Sequence, residues 1–492
     1  GNESDPSHSV TGVINVPLVE DKFAIRIAAQ SAEDGGYIDN VLGHTPDTWF
    51  GETANASPDA WGGHGQYRLD WGNRLNTDVA EENWNSAEHA NLRISARWHI
   101  NENWSVTGAY NYGDTDSQGS SAYNPFVGDL QTIAFVKNTS QSEWDMSSLT
   151  VEGDLGFAQL VSATSFYENE RAYVIDNTLY YRYYTTRNYC EDRGVWADIQ
   201  YYWLWENSAT GRAIYAPLYC VVPAANPSGA VDQMPEVIGI GAGPEWQERF
   251  TQEIRLSGEG ERFDWLAGLY YEDSNDSWNS QWMADANVPF QQSMSYAFMQ
   301  DCASAQPGDP LYNMWGCNPN KFFGIRSGPD DVAAALPDAS MYWTSWDDTD
   351  WETKAVFGEF TWHATDQMNV TIGGRWFETT NSKVYTKILA GARDSNGRLT
   401  GGFIQPRWDG NDARQTAKID EFVPKLSVTY NLDDQKMLYG LYTEGYRTGG
   451  VNRANKNADW SRTLFGQVWD PDKLANYEFC LLYTSPSPRD ED

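Results

Sequence analysis

The residues with the most evident chemical potential lie between Tyr180 and Asn207. Tyr180, Tyr181, Arg182, Tyr184, Arg187, Trp203 and Trp205 gather ring faces and guanidinium groups in one stretch. Such a surface can stack on planar or glycosidic ligands and hold cations against ring faces. The same residue types also suit an aromatic girdle at a membrane–water boundary. Cys190 and Cys220 fall in this region, and Cys302 and Cys317 form a second local pair. Local pairs in long connections suit disulfides in an oxidising compartment, with four free thiols as the alternative. No Cys-x-x-Cys spacing or neighbouring His points to a metal.

Other candidates carry less. Acidic residues cluster at Asp330-Asp331, at Asp347-Asp348 with Asp350, and at Asp409 with Asp412. None has the spaced ligands of a calcium loop, so each is read as a solvated, mutually repelling face. His8, His44, His64, His89, His99 and His363 form no H-E-x-x-H pair, and Gly239 to Gly243 lacks dinucleotide spacing. No nucleophile elbow occurs. The expectation is a protein that is not an enzyme and needs no cofactor.

The segments that must position these residues are long alternating strands. Ala90, Leu92, Ile94, Ala96, Trp98 and Ile100 alternate with Asn91, Arg93, Ser95, Arg97 and His99, and after Asn101-Glu102-Asn103 the apolar set resumes at Trp104, Val106, Gly108 and Tyr110. Period two places each set on one face of a sheet. Val16 and Leu18, then Phe23, Ile25, Ile27 and Ala29, make an earlier hairpin around Glu20-Asp21-Lys22. Phe250, Ile254 and Leu256 make another apolar set, interrupted by Gln252. In the hairpin at Asp433-Asp434-Gln435, Phe422, Leu426, Val428, Tyr430 and Leu432 form the apolar face, which Met437, Tyr439 and Leu441 are expected to continue. Further turns fall near Asp154 to Phe157, Glu259 to Arg262 and Thr365 to Gln367.

Short turns alternate with long connections, as in transmembrane barrels whose turns are periplasmic and whose loops lie outside. Long structureless connections are uncommon in compact soluble domains. Among 492 residues the charge is −35, with 69 acidic against 34 basic side chains. That balance argues against a nucleic-acid partner, because phosphate neutralisation needs Lys and Arg. The 23 Trp and 28 Tyr suit membrane interfaces. Mean hydropathy is −0.61, and no apolar run approaches the roughly 18–20 residues of a membrane helix. Only a closed barrel with a polar lumen could span a bilayer with this composition.

Several segments carry a family resemblance. "YTEGYRTGGVN", Tyr442 to Asn452, resembles the late-barrel Tyr/Gly-Tyr-Arg/Gly-Gly segment of TonB-dependent outer-membrane receptors. Asn15 to Asn40, Arg249 to Asp276, the "GGRWF" ending at Phe377, and "WDPDKLANYEF", Trp469 to Phe479, are similar to other barrel segments of that family. The resemblance implies an all-β fold, a transmembrane antiparallel β-barrel with short periplasmic turns and long extracellular loops. Roughly 13–14 strands are recognisable here, against about 22 in the family barrel. Residues 1–479 are accordingly read as a partial barrel lacking the plug and the last strands, and not expected to close alone. Residues 480–492, "CLLYTSPSPRDED", are read as a non-native, adapter-like tail.

The resemblance further implies the bacterial cell outer membrane as location and outer-membrane lipid as surroundings. It implies a monomer, the TonB energy-transducing complex as partner through a plug, and uptake of a scarce small-molecule ligand. A ferric siderophore is the family's commonest ligand, and the acidic charge weakly disfavours a strongly anionic chelate by repulsion. Cobalamin, haem, nickel chelates and oligosaccharides stay open. A passive porin-like channel and a secreted all-β glycan-binding protein or hydrolase are the rival readings. In the "EGYRTGG" segment, Gly445, Gly449 and Gly450 are read as bends where a strand leaves the membrane, with Arg447 paired to a neighbouring carboxylate.

Overall fold

The computed structural model describes residues 4–44, 75–125, 127–178, 238–284, 325–327, 341–390, 402–405, 414–452 and 468–483. Thirteen long strands run in sequence order: β1 His8–Val19, β2 Phe23–Asp34, β3 Ala87–Asn101, β4 Trp104–Gln118, β5 Thr139–Asp154, β6 Gln159–Asp176, β7 Gly239–Gly258, β8 Phe263–Ala284, β9 Met341–Thr365, β10 Met368–Ala390, β11 Gln415–Asp433, β12 Lys436–Arg447 and β13 Asp472–Tyr483. Each pairs antiparallel with its sequence neighbours, giving one sheet with β1 and β13 at its edges among the described residues. Short strands Ile325–Ser327 and Gly402–Gln405 pair with each other, and the second also pairs with β10. Strand lengths rise from 12 residues in β1 to 25 in β9. About 9–11 tilted residues cross a bilayer, so the longer strands project well beyond it on the side of the long connections.

The register decides which side faces lipid. Trp362, Phe360 and Val356 of β9 stand opposite Val370, Ile372 and Trp376 of β10, which stand opposite Val428, Leu426 and Phe422 of β11. The same row set continues through Leu269 and Phe263 of β8, Ile254 and Phe250 of β7, and back to Ile94, Ile27 and Ile14. These side chains are uncovered: Ile372 is 60% exposed, Leu269 57% and Phe422 54%. A soluble protein rarely leaves a contiguous apolar surface of this extent in water. The opposite face carries Arg97, Glu152, Glu359, Thr361, His363, Thr371 and Lys425, the alternation of a barrel wall.

Gln252 does fall on the apolar side. Its amide donates to Ser162 Oγ at 3.1 Å and accepts from Thr164 Oγ1 at 2.5 Å, so the polar atoms satisfy one another across the β6–β7 pair.

One expected face is reversed. Met437, Tyr439 and Leu441 stand opposite Asn431, Thr429 and Ser427, on the polar side, while Leu438, Gly440 and Tyr442 continue the apolar row. The cause is a register shift between Asn431 and Asp433, which inserts one extra residue before the turn. Asp433 Oδ1 accepts from Gln435 N at 2.9 Å and fixes that turn. Strand β13 also runs past Phe479, through Cys480 to Tyr483, because Leu481 and Tyr483 keep the alternation begun by Tyr477 and Phe479. Residues 484–492 lie outside the described residues.

The described parts of the β2–β3 and β4–β5 connections are not structureless. They fold on each other around Ile38, Trp84 and Ala134, all buried. Asp39–Asn40 pairs in parallel with Gln131–Thr132. Two buried asparagines knit this cap. Asn40 Nδ2 donates to Val79 O at 2.7 Å and Ala134 O at 3.1 Å, and its Oδ1 accepts from Ala134 N at 2.8 Å. Asn76 Nδ2 donates to Val41 O at 3.0 Å, and its Oδ1 accepts from Gly43 N at 2.8 Å. Asp176, at the end of β6, anchors the cap by accepting from Phe135 N at 2.5 Å. Burial pushes its carboxyl above the usual carboxylate range, against the pull of that backbone donor and of Thr178.

Two outcomes follow from this architecture. Ile372→Lys on the apolar face should cost about 2–4 kcal/mol of folding stability in lipid vesicles, whereas Thr371→Lys on the polar face should cost little, both read by denaturant unfolding. Asn76→Ala strands buried backbone groups and should cost about 1–3 kcal/mol locally, seen as protease cleavage within residues 36–44 while the strands stay protected.

Candidate ligand-binding face and its acidic surroundings

The polar face is lined with engaged charges. Near the short turns, Arg97 pairs with Glu152 at 2.9 Å, and Ser105 donates to the same carboxylate. His363 lies 3.0 Å from Asp264 through Nε2 and 2.9 Å from Asn369 through Nδ1. Lys425 reaches Glu359 at 2.8 Å across β10, passing Gly373. His99 and His363 both fall on this face.

Higher up, aromatic rings join the charges. The Arg375 guanidinium lies 4.8 Å from the Tyr270 ring centroid and 5.7 Å from that of Phe357. Phe357 can lie flat because it faces Gly268, where a Cβ would come within 2.2 Å of the ring. Tyr270 donates its hydroxyl to Glu272 at 2.6 Å. Above them Phe377 stacks on Tyr446 with centroids 4.0 Å apart. Phe357, Arg375 and Phe377 sit at odd positions of β9 and β10 and Tyr270 at an even position of β8, so the polar register contained the signal for these four. The sequence reading singled out none of them as a site.

The acidic cluster on β9 is not a solvated, repelling face. Alternation sends Asp347 to the polar side and Asp348 and Asp350 to the other. Asp347 is buried, 3.4 Å from Lys383, and accepts from Thr349 at 2.8 Å. Asp348 and Asp350 share Arg414 and each accept from Asn275 Nδ2 at 2.7 Å. Two cations, Lys383 and Arg414, and the donating Asn275 amide offset the repulsion among the three carboxylates through cross-strand bonding. Asp330, Asp331, Asp409 and Asp412 lie outside the described residues.

Repulsion is concentrated elsewhere. On the apolar side, just beyond the apolar band, carboxylates stand directly opposite one another. Asp145 faces Glu168, which faces Glu248; Asp114 faces Glu143, which faces Glu170. None of these six has an ion-pair partner among the described residues. Like charges directly opposite in a sheet are destabilising.

The expected ligand contacts Tyr180, Tyr181, Arg182, Tyr184, Arg187, Trp203 and Trp205, and the disulfide candidates Cys190, Cys220, Cys302 and Cys317, all lie outside the described residues. Gly449 and Gly450 follow the end of β12 at Arg447, and a Cβ at Gly449 would meet Trp469 O at 2.3 Å. Arg447 pairs with Asp472 of β13, both side chains exposed. That arrangement serves the wall.

Raising ionic strength should raise the thermal midpoint of the folded chain, because salt screens the Asp145–Glu168–Glu248 and Asp114–Glu143–Glu170 rows, whose four glutamates are exposed. A heat-modifiability gel run at low and high salt reads the shift, and charge-neutral replacements at Glu143 and Glu168 should reduce it.

Comparison with known proteins agrees with this geometry. Residues 223–476 match the family model described as TonB dependent receptor-like, beta-barrel. The fold is similar to the ferric yersiniabactin uptake receptor FyuA from Yersinia pestis, with TM-score 0.56, 12% identity, and coverage of 98% of this chain and 50% of that one. It is also similar to the siderophore receptor PiuA from Acinetobacter baumannii, with TM-score 0.50, 12% identity, and coverage of 96% and 52%. The chain thus spans about half the length of these receptors. Comparison with curated proteins gives no match. No helix among the described residues is long and apolar enough to cross a membrane, which says nothing about crossing by strands. With its apolar band outward, its polar face inward and half its length matching the barrel model, the chain belongs to the TonB-dependent receptor family, whose barrels lie in the outer membrane.

Proposed function

We propose that this barrel serves uptake of a scarce ligand, a ferric siderophore or similar metal chelate. The observation that carries this reading is the polar face itself. Several of its charges are held in pairs, and its upper part presents Arg375 over Tyr270 and Phe357, a surface suited to a ligand with both planar and charged parts. The two similar solved structures are described as a ferric yersiniabactin uptake receptor and a siderophore receptor, which supports the same class. In this reading the energy-transducing TonB complex acts through a plug domain, the barrel stands as a monomer in outer-membrane lipid, and no bond chemistry is required of the protein.

The loop residues Tyr180, Tyr181, Arg182, Tyr184, Arg187, Trp203 and Trp205 would then make the first contact from outside, with Cys190–Cys220 and Cys302–Cys317 disulfides bracing their loops. A passive channel would share the wall but need no energy. The test is uptake of radiolabelled iron by iron-starved cells presented with a panel of ferric chelates. The expected result is accumulation of at least one chelate that depends on this gene and collapses on dissipation of the proton-motive force. Uptake indifferent to the proton-motive force would favour a passive channel. Replacing Trp203 and Trp205 by Ala should weaken chelate binding by about tenfold or more if each loses a stacking contact of about 1 kcal/mol.

A further inference from the structure

The upper ends of β12 and β13 part from β11. The β11–β12 ladder ends at Lys425–Thr443, whereas the β12–β13 ladder runs on to Arg447–Asp472. Alternation from Tyr442, opposite Leu426 of the apolar row, would send Tyr446 and its partner Lys473 outward. Both instead meet residues of the polar face. Tyr446 stacks on Phe377, and Lys473 reaches Glu421, the residue opposite Phe377, at 2.6 Å. Beyond Arg447 the chain turns further over that face. Gly450–Val451 pairs with Val468–Trp469 as a two-stranded ribbon outside the main sheet. Val451 is buried with Ala417 and Ile419, which stand opposite Asn381 and Thr379 on the polar side of β10 and β11.

The inner strand of this ribbon lies directly on the wall. A Cβ on Gly449 would meet Ile419 Cδ1 at 2.9 Å, and one on Gly450 would meet Asn381 Oδ1 at 3.1 Å. Val468 and Trp469 of the outer strand are exposed. One side chain fastens the ribbon. Asn381, 1% exposed, accepts from Val451 N at 2.9 Å, and its amide donates to Asp350 O at 3.4 Å. It therefore ties the ribbon to β9 and β10 at once, and its removal would strand a buried backbone donor. Segments that close only on a ligand come from the low-stability end of a structure, with few buried contacts and exposed backbone bonds. This ribbon has the opposite character: a stacked ring pair at its root, an apolar cluster beneath it and a buried amide bond holding it down.

We infer that Asn381 is a positioning residue that holds Gly449, Gly450 and Val451 docked on the polar face as a permanent strap, so that this side of the lumen mouth is formed before any ligand arrives. The consequence for transport rests on the uptake reading, since a pre-formed mouth spares the ligand the cost of ordering it. The docking itself does not depend on that reading.

Thiol labelling in the native outer membrane with a water-soluble maleimide tests it, each rate taken relative to the unsubstituted chain. Ala417 lies under the strap and Thr416 is exposed on the other side of β11. Ala417→Cys should therefore label slowly and Thr416→Cys fast. Adding Asn381→Leu should speed labelling of Ala417→Cys by about tenfold or more. Val451→Asp, which loosens the strap without touching the wall strands, should do the same. Asn381→Asp keeps the oxygen that accepts from Val451 and should leave labelling slow. A heat-modifiability gel confirms that each variant is folded. Labelling of Ala417→Cys as fast as that of Thr416→Cys, or labelling that stays slow with both Asn381→Leu and Val451→Asp, overturns the strap. In the radiolabelled-iron assay, Asn381→Leu should raise the half-saturating concentration of a transported ferric chelate about fivefold at unchanged maximal rate. An unchanged half-saturating concentration overturns the pre-formed mouth. If the wild type transports no chelate, the uptake reading fails while labelling still decides the strap.

Discussion

Every feature of this chain depends on one constraint: within a bilayer each backbone N–H and C=O must find its partner on the neighbouring strand. That requirement makes the antiparallel ladder continuous from β1 to β13 and locks the register of each strand to the next. Once the register is fixed, period two leaves no freedom about which side chains meet lipid. A slip of one residue would send Ile372 and Phe360 to the polar side and Thr371 and Thr361 into lipid. The bulge between Asn431 and Asp433 shows the same rule locally, where one extra residue exchanges the faces of the return strand.

The constraint also sorts charge. On the polar face, several ionised groups pair across strands, as Lys425 does with Glu359 and Arg97 with Glu152. On the apolar side, carboxylates are confined to the strand extensions beyond the band, where water and ions can solvate them. The net charge of −35 is thus not spread evenly over the sheet. It is carried in part by the outward rows.

Much of the wall was legible in the sequence because period-two alternation is a direct record of burial. The hairpins around Asn101-Glu102-Asn103 and Glu20-Asp21-Lys22 pair with their apolar sets opposed as expected. The face of Met437, Tyr439 and Leu441 was not legible, since a bulge adds a residue without changing the pattern of apolar residues. The cap around Asn40 and Asn76 was hidden for another reason. Its order comes from side-chain amides bonding to backbone groups far away in sequence, Asn40 to Ala134 for example, and composition does not record such contacts. The β9 acids misled because Arg414 and Asn275 reach Asp348 and Asp350 only through the sheet.

The most direct test of the central claim is the environment of each residue along β10. Nitroxide labels placed singly from Asn369 to Trp376 in vesicles report whether a site is reached by oxygen, which enters lipid, or by a water-soluble nickel chelate. The account predicts strict alternation, with Val370, Ile372, Gly374 and Trp376 reached by oxygen and Asn369, Thr371, Gly373 and Arg375 by the chelate. Uniform access to the chelate, with no period of two, would contradict a membrane-spanning wall.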